Sequence, residues 1–360
     1  MSDLSKYTEQ ACELLAKMVA IPAESFHETK RADFLCSFLE SEGLAPARYG
    51  NNIVVRKAEN DPDKPLLMLN AHIDTVAAAA GYTFDPLNPP ADRTRILGLG
   101  SNDDGASVVS MIFTFIHAVR DSLELPVNLM LALSCEEERS GERGMRMLRR
   151  IVEREADFAI VGEPTEMKAA VAEKGLLVVD ALCKGKSAHC AHAELGENAL
   201  YKAVEAIAAL QNLEFSRISP SMGRTRLNVT QINAGTAHNV IPDSCSFVID
   251  IRTTDSYTNE EVMEILQKAA PQCEMKARNL LNHASATPQG HALLKTAAKL
   301  GVETYVSPTT SDWMRLSIPA MKMGPGDSNR SHTADEYILL SEITEGVEKT
   351  VNLFEKFFNL

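Results

Sequence analysis

The 360-residue sequence lacks the features that mark several large classes of protein. Its seven cysteines are odd in number and include no Cys-x-x-Cys pair, which argues against a disulfide framework and predicts free thiols in a reducing compartment. No apolar run approaches the length of a membrane span, and the first residues show no basic stretch followed by an apolar signal core. Repeats and low-complexity tracts are also lacking. These absences predict a cytoplasmic, globular protein.

Basic residues are outnumbered by acidic ones, and the formal net charge is −13. This excess of negative charge argues against nucleic acid and anionic membranes as partners, because both are themselves negatively charged. Hydrophobic residues make up 45% and charged residues 24% of the chain, which is ordinary for a soluble domain. The composition therefore favours a protein that acts on small molecules.

Strand and helix patterns predict two domains of the α/β and α+β classes. In the first half, strand patterns alternate with helix patterns, which predicts a mixed sheet flanked by helices. After Lys174 the pattern becomes β-α-β-β-α-β, the order of a ferredoxin-like unit. The first pattern then resumes near Ala292. We therefore predict one domain from residues 1–174 and 283–360, interrupted by a smaller α+β domain at 175–282.

Five short segments, far apart in the chain, carry residues that bind metals or move protons. Four of them directly follow apolar runs with strand character, so their side chains are expected at the carboxyl ends of strands. Two histidines with several carboxylates are what a hydrolytic two-metal site requires. The segments are His72-Ile73-Asp74, Asn102-Asp103-Asp104, Glu136-Glu137-Glu138, Gly162-Glu163-Pro164 and Ser331-His332-Thr333.

Each segment also has an ordinary explanation when it is taken alone. His72 and Asp74 point to the same face of a strand but could be a surface pair. Asp103 precedes a predicted helix and could simply be its N-cap. The three adjacent glutamates could form a solvated loop, since repulsion between them is relieved by water as well as by cations. The five segments therefore predict a metal site only when they are considered together.

In this order along the chain, the segments resemble the zinc-dependent amidohydrolase and exopeptidase family. That family includes acetylornithine deacetylase, succinyl-diaminopimelate desuccinylase, the glutamate carboxypeptidases and aminoacylase. The resemblance covers nearly the whole chain, including the inserted domain, which it identifies as a lid and dimerisation domain around a metal-binding catalytic domain. It implies two divalent cations in each subunit, with Zn²⁺ expected and Co²⁺ or Mn²⁺ as alternatives.

The resemblance also implies a set of metal ligands. One cation would be held by His72, Asp103 and Glu163, and the other by Asp103, Glu138 and His332, so that Asp103 bridges the two.

Two further roles in the same domain follow from the resemblance. Asp74 would orient the imidazole of His72, and Glu137 would be the general base. The family places Asp-Glu-Glu after a strand and two small residues, here Ser134 and Cys135. A shift by one residue, with Glu136 as the base and Glu137 as the ligand, stays open.

The resemblance assigns substrate contacts to the inserted domain and to a glycine loop. His189 would stabilise the oxyanion, often in the partner subunit's site, which implies a homodimer formed through the lid. Arg252 and Asn239 would contact the substrate, and the arginine suits a carboxylate. Gly324 and Gly326 flank a proline in a loop with little side chain, which lets a ligand approach the backbone closely.

The chain departs from the family pattern at three positions. Leu99 stands where the family usually has Arg in a Gly-Arg-Gly turn. Gly105 replaces a common Lys, and Ala193 replaces a common Pro. None of these positions is a proposed ligand. The departures therefore affect which member of the family the chain resembles most, and not the proposed ligand set.

The expected reaction is removal of a short acyl group from an N-acylated amino acid. N-acetylornithine is favoured, with N-acylcitrulline and N-acetyl-lysine next, which would place the enzyme in arginine biosynthesis. Succinyl-diaminopimelate is the second possibility, and a di- or tripeptide the third. A binding protein that has lost activity is a further alternative, but such a protein should lack the base or a ligand.

Overall fold

The computed structural model describes residues 4–121 and 123–356, which divide into two compact units. We call the larger one, from residues 1–171, 286–305 and 311–360, the large unit. The second, from residues 172–285 and 306–310, is the inserted unit. Both the mixed sheet with flanking helices and the inserted α+β unit are present, which confirms the predicted fold class.

The described residues form eight α-helices. They are α1 (Ser5–Val19), α2 (Thr29–Ser41), α3 (Gly105–Arg120), α4 (Met145–Val152), α5 (Ala199–Gln211), α6 (Asn259–Ala269), α7 (Ala292–Lys299) and α8 (Leu340–Lys356).

The described residues also form seventeen strands. They are β1 (Ala47–Tyr49), β2 (Asn52–Arg56), β3 (Leu66–His72), β4 (Arg95–Leu97), β5 (Asn128–Ser134), β6 (Phe158–Val161), β7 (Ala169–Glu173), β8 (Gly175–Lys184), β9 (Ala188–His189), β10 (Arg226–Ala234), β11 (Val240–Ile241), β12 (Ser244–Thr253), β13 (Cys273–Ala277), β14 (Ser285–Ala286), β15 (Thr304–Ser307), β16 (Ala320–Lys322) and β17 (Tyr337–Leu339).

The main sheet has the strand order β1-β2-β5-β3-β6-β16-β7-β14, with β15 paired to β7. Its neighbours β5, β3, β6 and β16 run parallel to one another. Every residue of β3 and β5 is buried. Helices cover both faces of such a strand, so its sequence is a continuous apolar run rather than an alternating one. This explains the apolar runs before the segments of His72, Glu137 and Glu163, whereas the segments of Asp103 and His332 do not directly follow a buried strand, so the expectation of four such segments is wrong by one.

Helix α3 is buried along nearly its whole length, from Gly105 to Ala118. A helix that is apolar all round is expected in the interior of a larger domain. Its first residue must be small, since a Cβ on Gly105 would lie 2.4 Å from the carbonyl oxygen of Gly100. The tight turn between Gly100 and Gly105 thus sets the position of Asp103 and Asp104, which lie within it.

The inserted unit contains a four-stranded antiparallel sheet of order β10-β12-β8-β13 with α5 and α6. Burial alternates along β8 and β12, as expected for a sheet with one face on the core. The chain order β8-α5-β10-β12-α6-β13 is the ferredoxin-like order expected from the sequence. A small β9-β11 pair is added to it.

Two of the seven cysteines form a disulfide, so the expectation of free thiols throughout is wrong for this pair. Cys183 on β8 lies directly opposite Cys273 on β13 and is bonded to it. The 90 residues between them in sequence hide the contact, which the sheet register creates. The other five cysteines are free.

No helix among the described residues combines the length and the apolar character needed to cross a bilayer.

Candidate metal centre

The site lies where parallel strands of the main sheet end. His72 is the last residue of β3 and pairs in register with Ser134, the last residue of β5. Strand β6 ends two residues before Glu163, at Val161, which is paired to Asn70 of β3. Carboxyl ends of parallel strands meet at one edge of a sheet, which is a common place for ligand sites. The sheet therefore gathers three of the five segments.

The imidazole of His72 is oriented on both sides. Its Nδ1 lies 3.1 Å from the carbonyl oxygen of Asp74 and 3.4 Å from Oδ1 of that residue. Its Nε2 lies 3.2 Å from Oδ1 of Asp103. A proton on Nδ1, donated to Asp74, leaves the lone pair of Nε2 toward Asp103, as in a histidine that binds metal. His72 and Asp103 are both buried.

The carboxylate of Asp74 holds the backbone of the acidic triplet. It accepts hydrogen bonds from the amides of Glu137 at 3.0 Å and Glu138 at 3.2 Å. It also accepts one from Oγ of Ser25 at 2.7 Å. Burial acts to raise the pKa of Asp74, but the contact with His72 and these hydrogen bonds outweigh it and lower the pKa. Asp74 thus stays ionised and connects the first segment to the third.

The three glutamates of the triplet have different surroundings. Glu136 is buried, and its carboxylate accepts hydrogen bonds from the Nε and the backbone amide of Arg143, at 2.8 and 3.0 Å. Glu138 Oε1 lies 2.9 Å from Nε2 of His332. Glu137 lies in a group with His72 and Glu163 whose ligand atoms are all within 4.8 Å of one another.

The structure brings together all six side chains that the sequence proposes as ligands or base. Besides the group that contains Glu137, the side chains of His72, Asp103 and Glu138 form a second group within the same distance limit. His332 joins them, since its Nε2 lies 3.7 Å from Oδ2 of Asp103. Two histidines and four carboxylates thus occupy one cluster.

Electrostatics within this cluster favour a cation. Burial raises the pKa of Glu137 and of Glu163 well above the ordinary value, and neighbouring carboxylates add to the effect. Burial also raises the pKa of Glu138, although the hydrogen bond with His332 opposes this. Imidazole nitrogens and carboxylate oxygens are ligands of zinc and similar ions, and a divalent cation would relieve the repulsion. The residues present therefore fit a centre for divalent cations.

Glu336 is a residue of the site that the sequence analysis assigned no role. It lies four residues after His332, is buried, and accepts hydrogen bonds from the backbone amides of Gly100, Asn102 and Asp103. Burial raises its pKa to about 7, while these amide contacts act to lower it. The only signal in the sequence was its place three residues after the end of the fifth segment.

Two further buried aspartates were also missed. Asp104 Oδ2 accepts a hydrogen bond from the amide of His72 at 3.3 Å, whereas its Oδ1 has no hydrogen-bond partner among the described residues. Burial raises the pKa of Asp104 to about 8. Asp312 accepts a hydrogen bond from Oγ of Ser134, and burial raises its pKa to about 6. Asp104 belongs to the second segment but was assigned no role there, and Asp312 lies outside all five segments.

The glycines of the Gly-Pro-Gly loop are explained by packing of the chain against itself. A Cβ on Gly324 would lie 2.6 Å from the carbonyl oxygen of Glu163. Gly326 has φ +93°, and a Cβ there would lie 2.5 Å from Oδ1 of Asn102. The loop is thus fitted closely to the segments that carry two of the proposed ligands, and its contact with a substrate stays a prediction.

Three of the proposed substrate residues, His189, Asn239 and Arg252, belong to the inserted unit. His189 is exposed, and its Nδ1 accepts a hydrogen bond from the amide of Ala191 at 3.1 Å. The carbonyl oxygen of Asn239 accepts one from the amide of Cys190. Arg252 donates from Nε and Nη2 to the carboxylate of Asp250, at 2.9 and 3.2 Å. Arg252, which is expected to bind the carboxylate of a substrate, thus already contacts the carboxylate of Asp250.

Comparison with known protein families supports the same architecture. Residues 171–273 match the peptidase dimerisation domain of the M20 type, and this range covers most of the inserted unit. Residues 52–219 match peptidase family M28. Because the second range contains four of the five segments, the match falls on the candidate metal centre.

Individual proteins are similar over most of the chain. A protein of Mycobacterium tuberculosis, provisionally named succinyl-diaminopimelate desuccinylase, is 29% identical over 93% of this chain and 95% of its own. The acetylornithine deacetylase of Myxococcus xanthus is 26% identical over 91% of this chain and 92% of its own.

The fold is also found in a solved structure. A Bacillus subtilis protein, described as a dinuclear metal binding peptidase of the M20 family, superposes with a TM-score of 0.74. The match covers 98% of this chain and 99% of that one at 18% identity, so it concerns the fold. The predicted family resemblance is confirmed. The chain matches the M20 dimerisation domain and peptidase family M28 over residues 52–273 taken together, and with its relatives these matches identify a metal-dependent hydrolase that acts on amide bonds.

Proposed function

We propose that the protein removes a short acyl group from an N-acylated amino acid with the help of two divalent cations. The observation that carries this proposal is the cluster of two histidines and four carboxylates at the carboxyl edge of the main sheet. One cation would be held by His72, Asp103 and Glu163. The second would be held by Asp103, Glu138 and His332.

The cations supply one kind of chemistry when they are bound: they make a water acidic and polarise the carbonyl group of the amide. We expect zinc, because the ligand set combines imidazoles with carboxylates, and cobalt or manganese are the alternatives.

Glu137 is proposed as the general base. It would take a proton from the attacking water as the new carbon–oxygen bond forms, and then deliver that proton to the nitrogen of the leaving amine as the acyl carbon–nitrogen bond breaks. Burial raises the pKa of Glu137 above the ordinary value, which makes its carboxylate a better proton acceptor than an exposed glutamate. The hydrogen bonds of Glu136 with Arg143 and of Glu138 with His332 support this assignment over the one shifted by a residue.

His189 is proposed to stabilise the oxyanion that develops on the amide carbonyl. Because Nδ1 accepts a hydrogen bond from Ala191, the neutral imidazole carries its proton on Nε2. An Nε2–H group is the donor that this role requires.

Recognition of the substrate carboxylate is proposed for Arg252, Asn239 and the loop from Gly324 to Gly326. Asp250 holds the guanidinium of Arg252 through Nε and Nη2, which fixes its direction. A carboxylate would bind to the remaining donors of this planar group.

We further propose that the protein is a homodimer formed through the inserted unit. Strand β10 is an edge strand, since it pairs only with β12 among the described strands. Ile232 on this strand is 54% exposed, and Tyr201 and Val204 on the adjacent α5 are 66% and 51% exposed. An open strand edge beside exposed apolar side chains is a surface that a second copy can cover.

For the substrate we favour N-acetylornithine, with N-acylcitrulline and N-acetyl-lysine next. This places the enzyme in arginine biosynthesis and in the cytoplasm. The second candidate is succinyl-diaminopimelate, which is supported by the name of the relative at 29% identity.

The proposal is tested by measuring hydrolysis of a panel of amides with and without a chelator. The panel contains N-acetylornithine, N-acylcitrullines, N-acetyl-lysine, succinyl-diaminopimelate and dipeptides. We expect the highest chelator-sensitive kcat/KM on N-acetylornithine. If succinyl-diaminopimelate were hydrolysed with the highest kcat/KM, it would replace N-acetylornithine as the proposed substrate. Absence of turnover on the whole panel would reject the proposed deacylase activity.

A further inference from the structure

We propose that Glu336 is a positioning residue that holds Asp103 in the place where it can bridge two cations. The inference rests on the proposed function, because it concerns the ligand set given there. Glu336 is not itself offered as a ligand, since hydrogen bonds from the backbone occupy both of its carboxylate oxygens.

The first observation is the concentration of backbone donors on one carboxylate. Oε1 of Glu336 accepts hydrogen bonds from the amides of Asn102 at 3.0 Å and Asp103 at 2.9 Å. Oε2 accepts one from the amide of Gly100 at 3.0 Å. Charge-assisted bonds of this kind are among the strongest in proteins, and here they are shielded from water. The loop that presents Asp103 is therefore shaped around a single side chain.

The second observation is a set of hydrogen bonds between the same loop and residues 327–336, the stretch of chain that contains His332. The side-chain amide of Asn102 accepts a hydrogen bond from the backbone amide of Asp327 at 3.0 Å and donates one to its carbonyl oxygen at 3.1 Å. The backbone of Glu336 accepts a further hydrogen bond, from Gly98 at 2.8 Å. The loop of Asp103 and the segment of His332 are thus held together from both sides.

These contacts have a consequence for the proposed ligands. Asp103 is proposed to contact both cations, and His332 is proposed to contact one of them. A shift of the loop would therefore change the geometry of both sites at once. Residues that orient metal ligands from behind typically change metal affinity or activity by about 10–100-fold when they are substituted.

The test compares Glu336→Gln with wild type and with the control Asp157→Asn. Glutamine keeps the size of the side chain, but its Nε2 cannot accept the amide of Gly100, and its charge is lost. Asp157 accepts a hydrogen bond from the amide of Leu66, at the opposite end of β3 from His72. The control therefore removes a comparable carboxylate-to-backbone contact away from the site.

Zinc binding to each metal-free protein is measured by calorimetry, and the visible spectrum is recorded after substitution with cobalt. We expect Glu336→Gln to bind both zinc ions about 10–100-fold more weakly and to show altered cobalt bands, whereas Asp157→Asn should match wild type. Circular dichroism checks that each variant is folded. Wild-type zinc affinity and cobalt bands in folded Glu336→Gln would overturn the inference.

If Glu336→Gln does not fold, Glu336→Asp decides the question. It keeps the charge but withdraws the carboxylate from the amides of Gly100, Asn102 and Asp103, and we expect it to weaken zinc binding as well. Unchanged zinc affinity in that variant would overturn the inference. A wild-type protein that binds no zinc would instead reject the proposed function, and this inference with it.

Discussion

Nε2 of His332 lies 2.9 Å from Oε1 of Glu138, although 194 residues separate them along the chain. The hydrogen bond with Glu138 raises the pKa of His332 above its ordinary value. Because the lone pair of a neutral imidazole is what binds a metal, a proton and a cation compete for the same nitrogen.

This competition predicts that the affinity for metal decreases as the pH is lowered. For His72, burial alone would lower the pKa, but hydrogen bonds with Asp103 and Asp74 raise it well above the ordinary value. Below these raised pKa values both histidines hold a proton that a cation must displace. The apparent affinity for zinc should therefore weaken as the pH is lowered through these raised pKa values, and binding should release protons.

Calorimetry in two buffers of different ionisation enthalpy measures this proton release directly. The variant His192→Gln is a suitable control, because His192 is an exposed residue of the inserted unit and should not affect the result. An affinity that is independent of pH, without proton release, would contradict the prediction.

Glu137→Gln should abolish most turnover while metal binding persists. General base catalysis contributes about 10²–10⁴-fold to rate, so kcat should fall by that amount. The stoichiometry of bound zinc should stay as in wild type, which atomic emission of the purified protein measures.

The matched variant is Glu136→Gln, which disturbs the hydrogen bonds with Arg143. It should lower the free energy of unfolding by about 1–3 kcal/mol and leave kcat of the folded protein within a few fold. If Glu136→Gln were inactive and Glu137→Gln active, the assignment shifted by one residue would be correct.

Much of the fold and of the candidate site follows from the sequence for a physical reason. Buried parallel strands are continuous apolar runs, and polar residues at or just beyond their ends, such as His72 and Glu163, are therefore conspicuous. The register of β3 with β5 and β6 then brings these residues to one edge of the sheet. Local pattern and global arrangement agree here, which makes the prediction possible.

The supporting contacts could not be predicted, because they depend on the tertiary fold. Glu336 acts on a loop more than 230 residues earlier in the chain, and Ser25 contacts Asp74 from the loop after α1. Single carboxylates and hydroxyls in loops carry no pattern that marks them. The disulfide between Cys183 and Cys273 was missed for the same reason.

Replacing Ile232 with Lys should dissociate the proposed dimer. The charge would be buried where β10 meets a second copy, and we expect the dimer affinity to fall by roughly tenfold or more. Sedimentation velocity measures the change. The control Ile218→Lys alters another exposed residue of the inserted unit, outside β10 and α5, and should remain dimeric. An unchanged dimer in both variants would place the interface elsewhere.

Cys183→Ser should destabilise the inserted unit. The disulfide closes a loop across 90 residues, and loss of a native disulfide typically lowers stability by about 2–5 kcal/mol. Urea unfolding measures the difference, with Cys190→Ser, which alters an exposed free thiol, as the control.

Alkylation of the unfolded wild type without reductant should label five thiols, in accord with the five free cysteines. Labelling of all seven would contradict the disulfide.

A titration of metal-free protein with zinc, followed by hydrolysis of N-acetylornithine, tests the two-metal mechanism most directly. We expect no turnover without metal, and turnover that rises with added zinc and levels off at about two ions per subunit. At every zinc concentration, the variant His332→Ala should be far less active than wild type. Full turnover by the metal-free protein would contradict the two-metal mechanism.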